Sequence, residues 1–136
     1  FNPKESIDFN GNTGPFIQYT HARIRSILRK AAEKGIEYAA SPLPKVELSA
    51  KEIRLIKLLN TFPAKIAEGA QAYSPAVIAN YAYDLAKEFN QYYHDTPILK
   101  EENVDVLKMR LVLIDTLSAV LRKAMGILGI ELPERM

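Results

Sequence analysis

Residues 103–128, NVDVLKMRLVLIDTLSAVLRKAMGIL, are densely apolar. Their apolar side chains return every three or four positions, which is the repeat of an α-helix that packs one face against other elements. Neighbouring apolar residues widen that face beyond the stripe of an ordinary surface helix. The stretch therefore predicts the central helix of a helical domain. Its packing stripe consists of Leu107, Leu111, Ile114, Leu117, Leu121, Ala124 and Leu128.

A first helix is predicted from Thr13 to just before Gly35. Pro15 falls in the first turn, where a missing amide hydrogen breaks no helical hydrogen bond. Gly35 suits the left-handed position that follows many helices. The side chains at helical spacing on its packing face are Phe16, Thr20, Ile24, Ile27, Leu28 and Ala31.

A second helix is predicted to begin after Ser49, because Ser49 and Glu52 have the spacing of a capping box. Its predicted packing stripe is Ile53, Ile56 and Leu59. Phe62-Pro63 interrupts this helix, since the proline ring clashes with the carbonyl group four residues earlier. The sequence leaves open whether the segment up to Tyr73 is a kinked continuation or a separate helix.

Ser74 and Pro75 form an N-cap and first-turn pair, which predicts a further helix that ends before Pro97. The residues on its buried stripe are Ile78, Tyr81, Ala82, Leu85, Phe89 and Tyr92.

The remaining segments are predicted to be connections. Residues 1–12 resemble an extended lead-in, residues 36–48 contain Pro42 and Pro44 and predict a loop, and residues 130–136 form a short non-helical tail after Gly129. No alternation of period two bounded by hairpin turns is visible. The predicted fold is all-α, a bundle of four to six helices.

The composition excludes several function classes. A chain of 136 residues with 48% apolar content suits one globular domain, and the absence of cysteine rules out disulfides, thiolate metal sites and cysteine nucleophiles. No apolar run is long enough to span a bilayer, and residues 1–6 lack the features of a signal peptide, so the cytoplasm is expected. The two histidines, His21 and His94, lie in unrelated contexts, and no catalytic or metal-binding constellation is visible. Because the chain starts at Phe1, we expect further sequence upstream.

Basic residues are concentrated near the first helix. Residues 21–34 contain five basic residues and a single acid, Glu33, although the net charge of the chain is only +2. Such an excess is typical of a solvated helix face and also of a surface that binds phosphate. The candidates for phosphate contact are Arg25, Arg29 and Lys30.

Aromatic residues accompany these cations. Phe16, Tyr19 and Arg23 follow one another at one-turn spacing, so they can share one flank of the first helix. That flank could stack an unpaired base and bind its phosphate. The alternative is that such aromatics belong to the core, and we predict this for Tyr81 and Tyr92.

Three stretches resemble the carboxyl-terminal domain of arginyl-tRNA synthetases. They are GNTGPFIQYTHARI at residues 11–24, FNQYYHDTPIL at residues 89–99 and LGIELPERM at residues 128–136. The first matches the pattern G-x-T-G-P-[FY]-x-Q-Y-x-H-x-R, and the last ends in P-E-R-M. These motifs occur in that family in the same order, and together they span nearly the whole chain.

The resemblance implies a fold and a partner. The expected domain is the all-helical anticodon-binding type of class I aminoacyl-tRNA synthetases, formed by residues 13–136, with residues 1–12 leading from a catalytic domain that is not part of this chain. It would bind the anticodon stem-loop of tRNA(Arg), while the separate Rossmann domain ligates arginine to the tRNA with ATP and magnesium. The signature motifs of that catalytic domain do not occur here, so this fragment alone is not expected to be an enzyme or to contain a cofactor or metal.

The resemblance also implies a pocket for the second anticodon base, a cytosine, formed by aromatics and a chain-terminal methionine. Carried over by position, these are Tyr19, Tyr93 and Met136. Phe16 occupies a position where the family often has tyrosine, which keeps stacking but removes a hydroxyl. The full set of candidates for anticodon contact is Phe16, Tyr19, Arg23, Tyr93, Arg135 and Met136.

A different class of function is also compatible with the sequence. A structural or protein-interaction module could use the helix over residues 13–34 as an interface with a partner protein or with the catalytic domain. Such a module would bind RNA without specificity or not at all.

Overall fold

The computed structural model describes residues 13–39 and 45–136. The predicted lead-in at residues 1–12 and the proline-containing part of the predicted loop lie outside these ranges. Within them there is no strand, and the predicted all-α bundle of four to six helices is confirmed. The elements are α1 (Thr13–Glu33), α2 (Ala50–Asn60), α3 (Phe62–Ala72), α4 (Pro75–Asp95), a 3-10 turn (Ile98–Lys100) and α5 (Val104–Ile127).

The helix ends follow the local signals in the sequence. Gly35 adopts a φ of 74° after α1, and Gly129 adopts 76° after α5. The capping box at α2 is complete, because Glu52 donates its amide to the Ser49 hydroxyl at 3.2 Å and Ser49 donates its amide to Glu52 Oε1 at 2.8 Å. The interruption at Pro63 produces a separate helix, α3, rather than a kinked continuation of α2.

The core lies between α1, α4 and α5, and α5 contacts α1, α2, α4 and the 3-10 turn. The predicted stripes of these three helices are confirmed except at their ends, where Phe16 and Leu128 are only partly buried. Tyr81 and Tyr92 belong to the core, as predicted. The hydroxyl of Tyr81 donates to the carbonyl oxygen of Leu58 at 2.8 Å.

The predicted packing stripe of α2 is wrong in part. Ile53 is 41% exposed, and Ile56 and Leu59 are only partly buried, whereas the buried residues of this helix are Leu55 and the acidic Glu52. A rule that places apolar residues inside does not anticipate a buried carboxylate. Compared with the predicted orientation, α2 turns Glu52 inward. This is possible because hydrogen-bond donors in the interior compensate the charge of Glu52.

Glu52 is the centre of a network that joins three helices. Its Oε2 accepts hydrogen bonds from the Tyr92 hydroxyl at 2.6 Å and from Arg110 Nε at 2.8 Å, while Arg110 Nη1 donates to Glu101 at 3.0 Å. Burial by itself raises the pKa of Glu52, but hydrogen bonds from Tyr92, the Ser49 amide and Arg110 outweigh burial and hold the pKa below its usual value. The network therefore holds α2 against α4 and α5 with an ionised carboxylate.

We predict that Glu52→Ala lowers the free energy of unfolding by about 3 kcal/mol, because it leaves the buried Tyr92 hydroxyl without its acceptor and the partly buried Arg110 with only Glu101 as a partner. The side chains of Glu52 and Arg110 are only 1% and 16% exposed. Urea denaturation measures the loss. The control is Lys51→Ala, which breaks an exposed ion pair with Asp95 and should cost no more than about 1 kcal/mol. Equal losses in both variants would contradict a buried network at Glu52.

Candidate nucleic-acid interface

A cleft of about 540 Å³ opens between α1, α4 and the tail, residues 130–136. We call it the α1–α4 cleft. Its lining residues are Tyr19, Ala22, Arg23, Ser26, Ile27, Arg29, Lys30, Tyr93, Arg135 and Met136. It combines aromatic rings with cationic side chains, and no acidic side chain is among the described residues that line it.

Two tyrosines and an arginine form the centre of this cleft. The guanidinium carbon of Arg23 lies 5.1 Å from the ring centroid of Tyr19 and 5.5 Å from that of Tyr93, which are cation–π distances. Arg23 Nη2 also donates a hydrogen bond to the Tyr19 hydroxyl at 3.2 Å. Tyr19 is 48% exposed and Met136 is 73% exposed, so both side chains are accessible to a ligand.

The tail is attached to α1 through a buried histidine. His21 is fully buried and its Nδ1–H donates to the carbonyl oxygen of Pro133 at 2.8 Å. Leu132, the preceding residue of the tail, is also buried in the core. These contacts place the following residues, Arg135 and Met136, at the cleft.

Glu134 provides a second attachment, to arginines of α1 and α5. Its carboxylate lies 2.9 Å from Arg25 Nε, 3.9 Å from Arg29 Nη1 and 3.8 Å from Arg122 Nη2. Arg29 also donates to the backbone carbonyl oxygen of Glu134 at 3.0 Å. Burial raises the pKa of Glu134, but the hydrogen bond from Arg25 and the charges of Arg25 and Arg122 outweigh burial and hold the pKa below its usual value. The carboxylate is therefore ionised near neutral pH.

The structure brings together most of the residues predicted for anticodon contact. Tyr19, Arg23, Tyr93, Arg135 and Met136 all line the α1–α4 cleft. The exception is Phe16, on the first turn of α1. Its ring lies outside the cleft and packs against Tyr83 of α4, with 5.5 Å between the ring centroids.

The candidates for phosphate contact separate in the same way. Arg29 and Lys30 line the cleft, and Lys30 is exposed. Arg25 does not line the cleft, because its guanidinium pairs with Glu134 and lies 3.3 Å from Asp115. Arg25 therefore supports the tail, whereas Lys30 faces solvent at the cleft.

Sequence reasoning missed Asn90 and His21, which act behind the cleft. Asn90 Oδ1 accepts a hydrogen bond from Arg23 Nη1 at 2.7 Å, and this contact joins residues 67 positions apart. Both residues lie inside the family-like stretches, but a pattern of residue types does not show which side chains meet. Only helix packing reveals these contacts.

The environment of His21 disfavours a charge on its ring. Burial is the main cause that lowers the pKa of His21, and the hydrogen bond to Pro133 opposes this; Arg122 and Arg25 lower the pKa further, while Glu134 raises it. Nε2 is buried and has no hydrogen-bond partner among the described residues. The ring is therefore neutral, with its proton on Nδ1.

Residues 13–39 and 45–136 offer neither a metal site nor a membrane-spanning helix. These residues contain no group of three or more histidine, aspartate or glutamate side chains placed to hold a metal ion. None of the described helices is both long and apolar enough to cross a membrane.

Residues 17–136 match the family model of the DALR anticodon binding domain. The chain belongs to this family. It is 58% identical to the arginine–tRNA ligase of Bacteroides fragilis and 50% identical to that of Porphyromonas gingivalis, in each case over all of this chain and 23% of the relative. Among solved structures it is similar to the arginyl-tRNA synthetase of Thermus thermophilus, with a TM-score of 0.80 and 34% identity over the whole chain and 23% of that protein.

The cleft lies within the matched part of this DALR domain. Its aromatic and cationic centre, Tyr19, Arg23 and Tyr93, and its tail residue Met136 all fall in residues 17–136. The domain spans about 23% of the length of the curated relatives that it matches.

We predict that acid destabilises the domain partly through His21. Below about pH 6.5, the unperturbed pKa of histidine, the unfolded chain binds a proton that the folded domain does not bind until its lower pKa is reached. The free energy of unfolding therefore falls as the pH falls through this window. His21→Gln retains an amide donor for Pro133 but does not titrate, so its stability should decline less.

Urea denaturation at about pH 7.5 and about pH 5.5 tests this pH dependence. The control is His94→Gln at the exposed histidine of α4, which should decline as much as the wild type. If His21→Gln loses as much stability as the wild type between these two pH values, His21 does not cause the acid destabilisation.

Proposed function

We propose that this domain recognises the anticodon loop of tRNA(Arg) as the carboxyl-terminal part of an arginine–tRNA ligase. The observation that carries the proposal is the α1–α4 cleft, in which Tyr19, Arg23, Tyr93 and Met136 converge from α1, α4 and the tail. The relatives are named arginine–tRNA ligases, which supports the choice of arginine and its tRNA. The proposed compartment is the cytoplasm.

The cleft has the chemistry expected for an unpaired base. Proteins recognise RNA loops by stacking splayed bases on aromatic rings and on arginine planes, and a stacked base contributes about 1 to 3 kcal/mol. Tyr19 and Tyr93 provide rings, and Arg23 provides a plane between them. Met136 is unbranched and exposed, so its side chain can adjust to the edge of a base. The volume of about 540 Å³ lies within the usual range of ligand sites.

The rim of the cleft has the charge expected for the RNA backbone. Arg29 and Lys30 lie on successive positions of α1 beside the aromatic centre. Cations placed beside a stacked base bind its phosphates and release counterions, so affinity decreases with salt. We expect Arg25 to hold the tail and not to bind phosphate, because its guanidinium already pairs with Asp115 and Glu134.

Aminoacylation is assigned to the rest of the parent protein. The relatives are more than four times as long as this domain, which covers 23% of them. We propose that ATP, magnesium and the Rossmann catalytic domain belong to that remaining part. The domain described here would supply only tRNA recognition.

We predict that Tyr19→Ala and Met136→Ala each weaken binding of a tRNA(Arg) anticodon stem-loop by about 1 kcal/mol or more, because each removes a surface that contacts the base. Fluorescence anisotropy at low salt measures the dissociation constant. A second stem-loop in which the second anticodon base is changed should bind the wild type more weakly and respond less to both substitutions.

The matched control is Tyr73→Ala, since Tyr73 is 94% exposed and lies at the end of α3, outside the cleft. This variant should bind like the wild type. If Tyr19→Ala and Met136→Ala also bind like the wild type, the domain is better described as a protein-interaction module.

We predict that Lys30→Ala weakens both stem-loops equally and reduces the slope of log affinity against log salt by about one, because Lys30 contacts phosphate and not a base. Titrations at several salt concentrations measure the slope. Lys57→Ala, which removes an exposed lysine of α2 outside the cleft, should leave the slope unchanged. A slope that is the same in Lys30→Ala and wild type would exclude Lys30 from the phosphate contacts.

A further inference from the structure

We infer that Asn90 is a positioning residue of the α1–α4 cleft: it holds the guanidinium of Arg23 between the two tyrosine rings through a neutral acceptor, and so leaves the charge of Arg23 available to the RNA. This inference rests on the proposed function. It adds a role for a residue that does not itself line the cleft.

The orientation of the Asn90 amide follows from its partners. Its Nδ2 donates to the carbonyl oxygen of Ala86 at 2.9 Å and to the Thr20 hydroxyl at 2.8 Å. A backbone carbonyl oxygen can only accept, so the amide nitrogen must face Ala86. The amide oxygen then faces Arg23, which can only donate, and the distance to Nη1 is 2.7 Å. Every polar atom of the Asn90 side chain is therefore used.

Two hydrogen bonds hold the guanidinium of Arg23, one to α4 and one to its own helix, α1. Nη1 donates to Asn90 on α4, and Nη2 donates to the hydroxyl of Tyr19 on α1. A free arginine side chain has many rotamers, and ordering it on binding would cost affinity. Because Asn90 orders Arg23 in the free domain, part of this entropy is lost when the domain folds and not when it binds RNA. A guanidinium has five N–H groups, and these two bonds leave others for a ligand.

The hydrogen-bond partners of Arg23 are uncharged, whereas four other arginines of the described residues pair with carboxylates. Arg25, Arg29 and Arg122 share the carboxylate of Glu134, and Arg110 pairs with Glu52. Among the described residues no carboxylate lies within ion-pair distance of Arg23, which receives the amide oxygen of Asn90 instead. Its positive charge is thus oriented but not neutralised.

This combination suits an electron-rich ligand in the cleft. A cation fixed beside two rings attracts the carbonyl edge of a base or a phosphate oxygen more strongly than one already paired with a carboxylate. An aspartate at position 90 would still offer an oxygen to the guanidinium, but it would cancel the charge of Arg23 and would lose the hydrogen bond to Ala86. The neutral amide provides position and charge together.

A double-mutant cycle on the 136-residue chain tests this role, with the anticodon stem-loop that has cytosine at its second anticodon base. Asn90→Ala alone should weaken binding by about tenfold, which is within the range of one base contact. In the Arg23→Ala background the same substitution should change affinity by less than about twofold, because its effect passes through Arg23. Circular dichroism melting checks that each variant is folded.

Thr20→Val is the matched control, since it removes one hydrogen bond of Asn90 and leaves those with Ala86 and Arg23. It should bind within about twofold of the wild type. Asn90→Asp is an independent variant of the same size. It should retain an acceptor for Arg23 and reduce the salt slope of binding by about one.

The outcomes are distinct. Equal effects of Asn90→Ala with and without Arg23, no effect of Asn90→Ala, or an unchanged salt slope in Asn90→Asp would each overturn the positioning role while the proposed function stands. Failure of the wild type to bind the stem-loop would overturn the proposed function, and the positioning role with it.

Discussion

The hydrogen bond from the buried ring of His21 to the carbonyl oxygen of Pro133 determines where the chain runs after α5. It lies in the interior, where a lost partner is costly, so it constrains the backbone more than the exposed ion pairs of Glu134. This constraint also limits the positions of the residues after Pro133, because Pro133 is held beside α1. Together with the buried Leu132 and the ion pairs of Glu134, this hydrogen bond holds the tail as the third wall of the α1–α4 cleft.

Helix α1 serves the core and the cleft with different faces. Ile17, Ile24 and Leu28 pack inward at helical spacing, while Tyr19 and Arg23 lie one turn apart on the outer flank. The rigidity of the inner face fixes the geometry of the outer one. A rigid element that holds a site needs little rearrangement when a ligand binds.

Local patterns were sufficient to predict the helices, but not the pairs that join them. The stripe of α5 from Leu107 to Ala124, the capping box at Ser49 and the left-handed Gly35 depend on residues close in sequence, and these were predicted correctly. The burial of Glu52 depends on Tyr92, 40 positions away, and the support of Arg23 depends on Asn90, 67 positions away. The family resemblance predicted that Tyr19 and Tyr93 lie near Met136, and all three line one cleft, because the resemblance carries information about distant positions that periodicity lacks.

In the proposed complex, one base of the anticodon enters the α1–α4 cleft between Tyr19, Tyr93 and Met136. Nuclear Overhauser effects in the complex test it most directly, with the Met136 methyl group labelled and the stem-loop carrying a cytosine at the second anticodon position. The account predicts contacts from the H5 and H6 protons of that cytosine to the Met136 methyl group and to the ring of Tyr19 or Tyr93. Contacts confined to α2 and α3, with the Met136 signal unchanged on RNA binding, would contradict it.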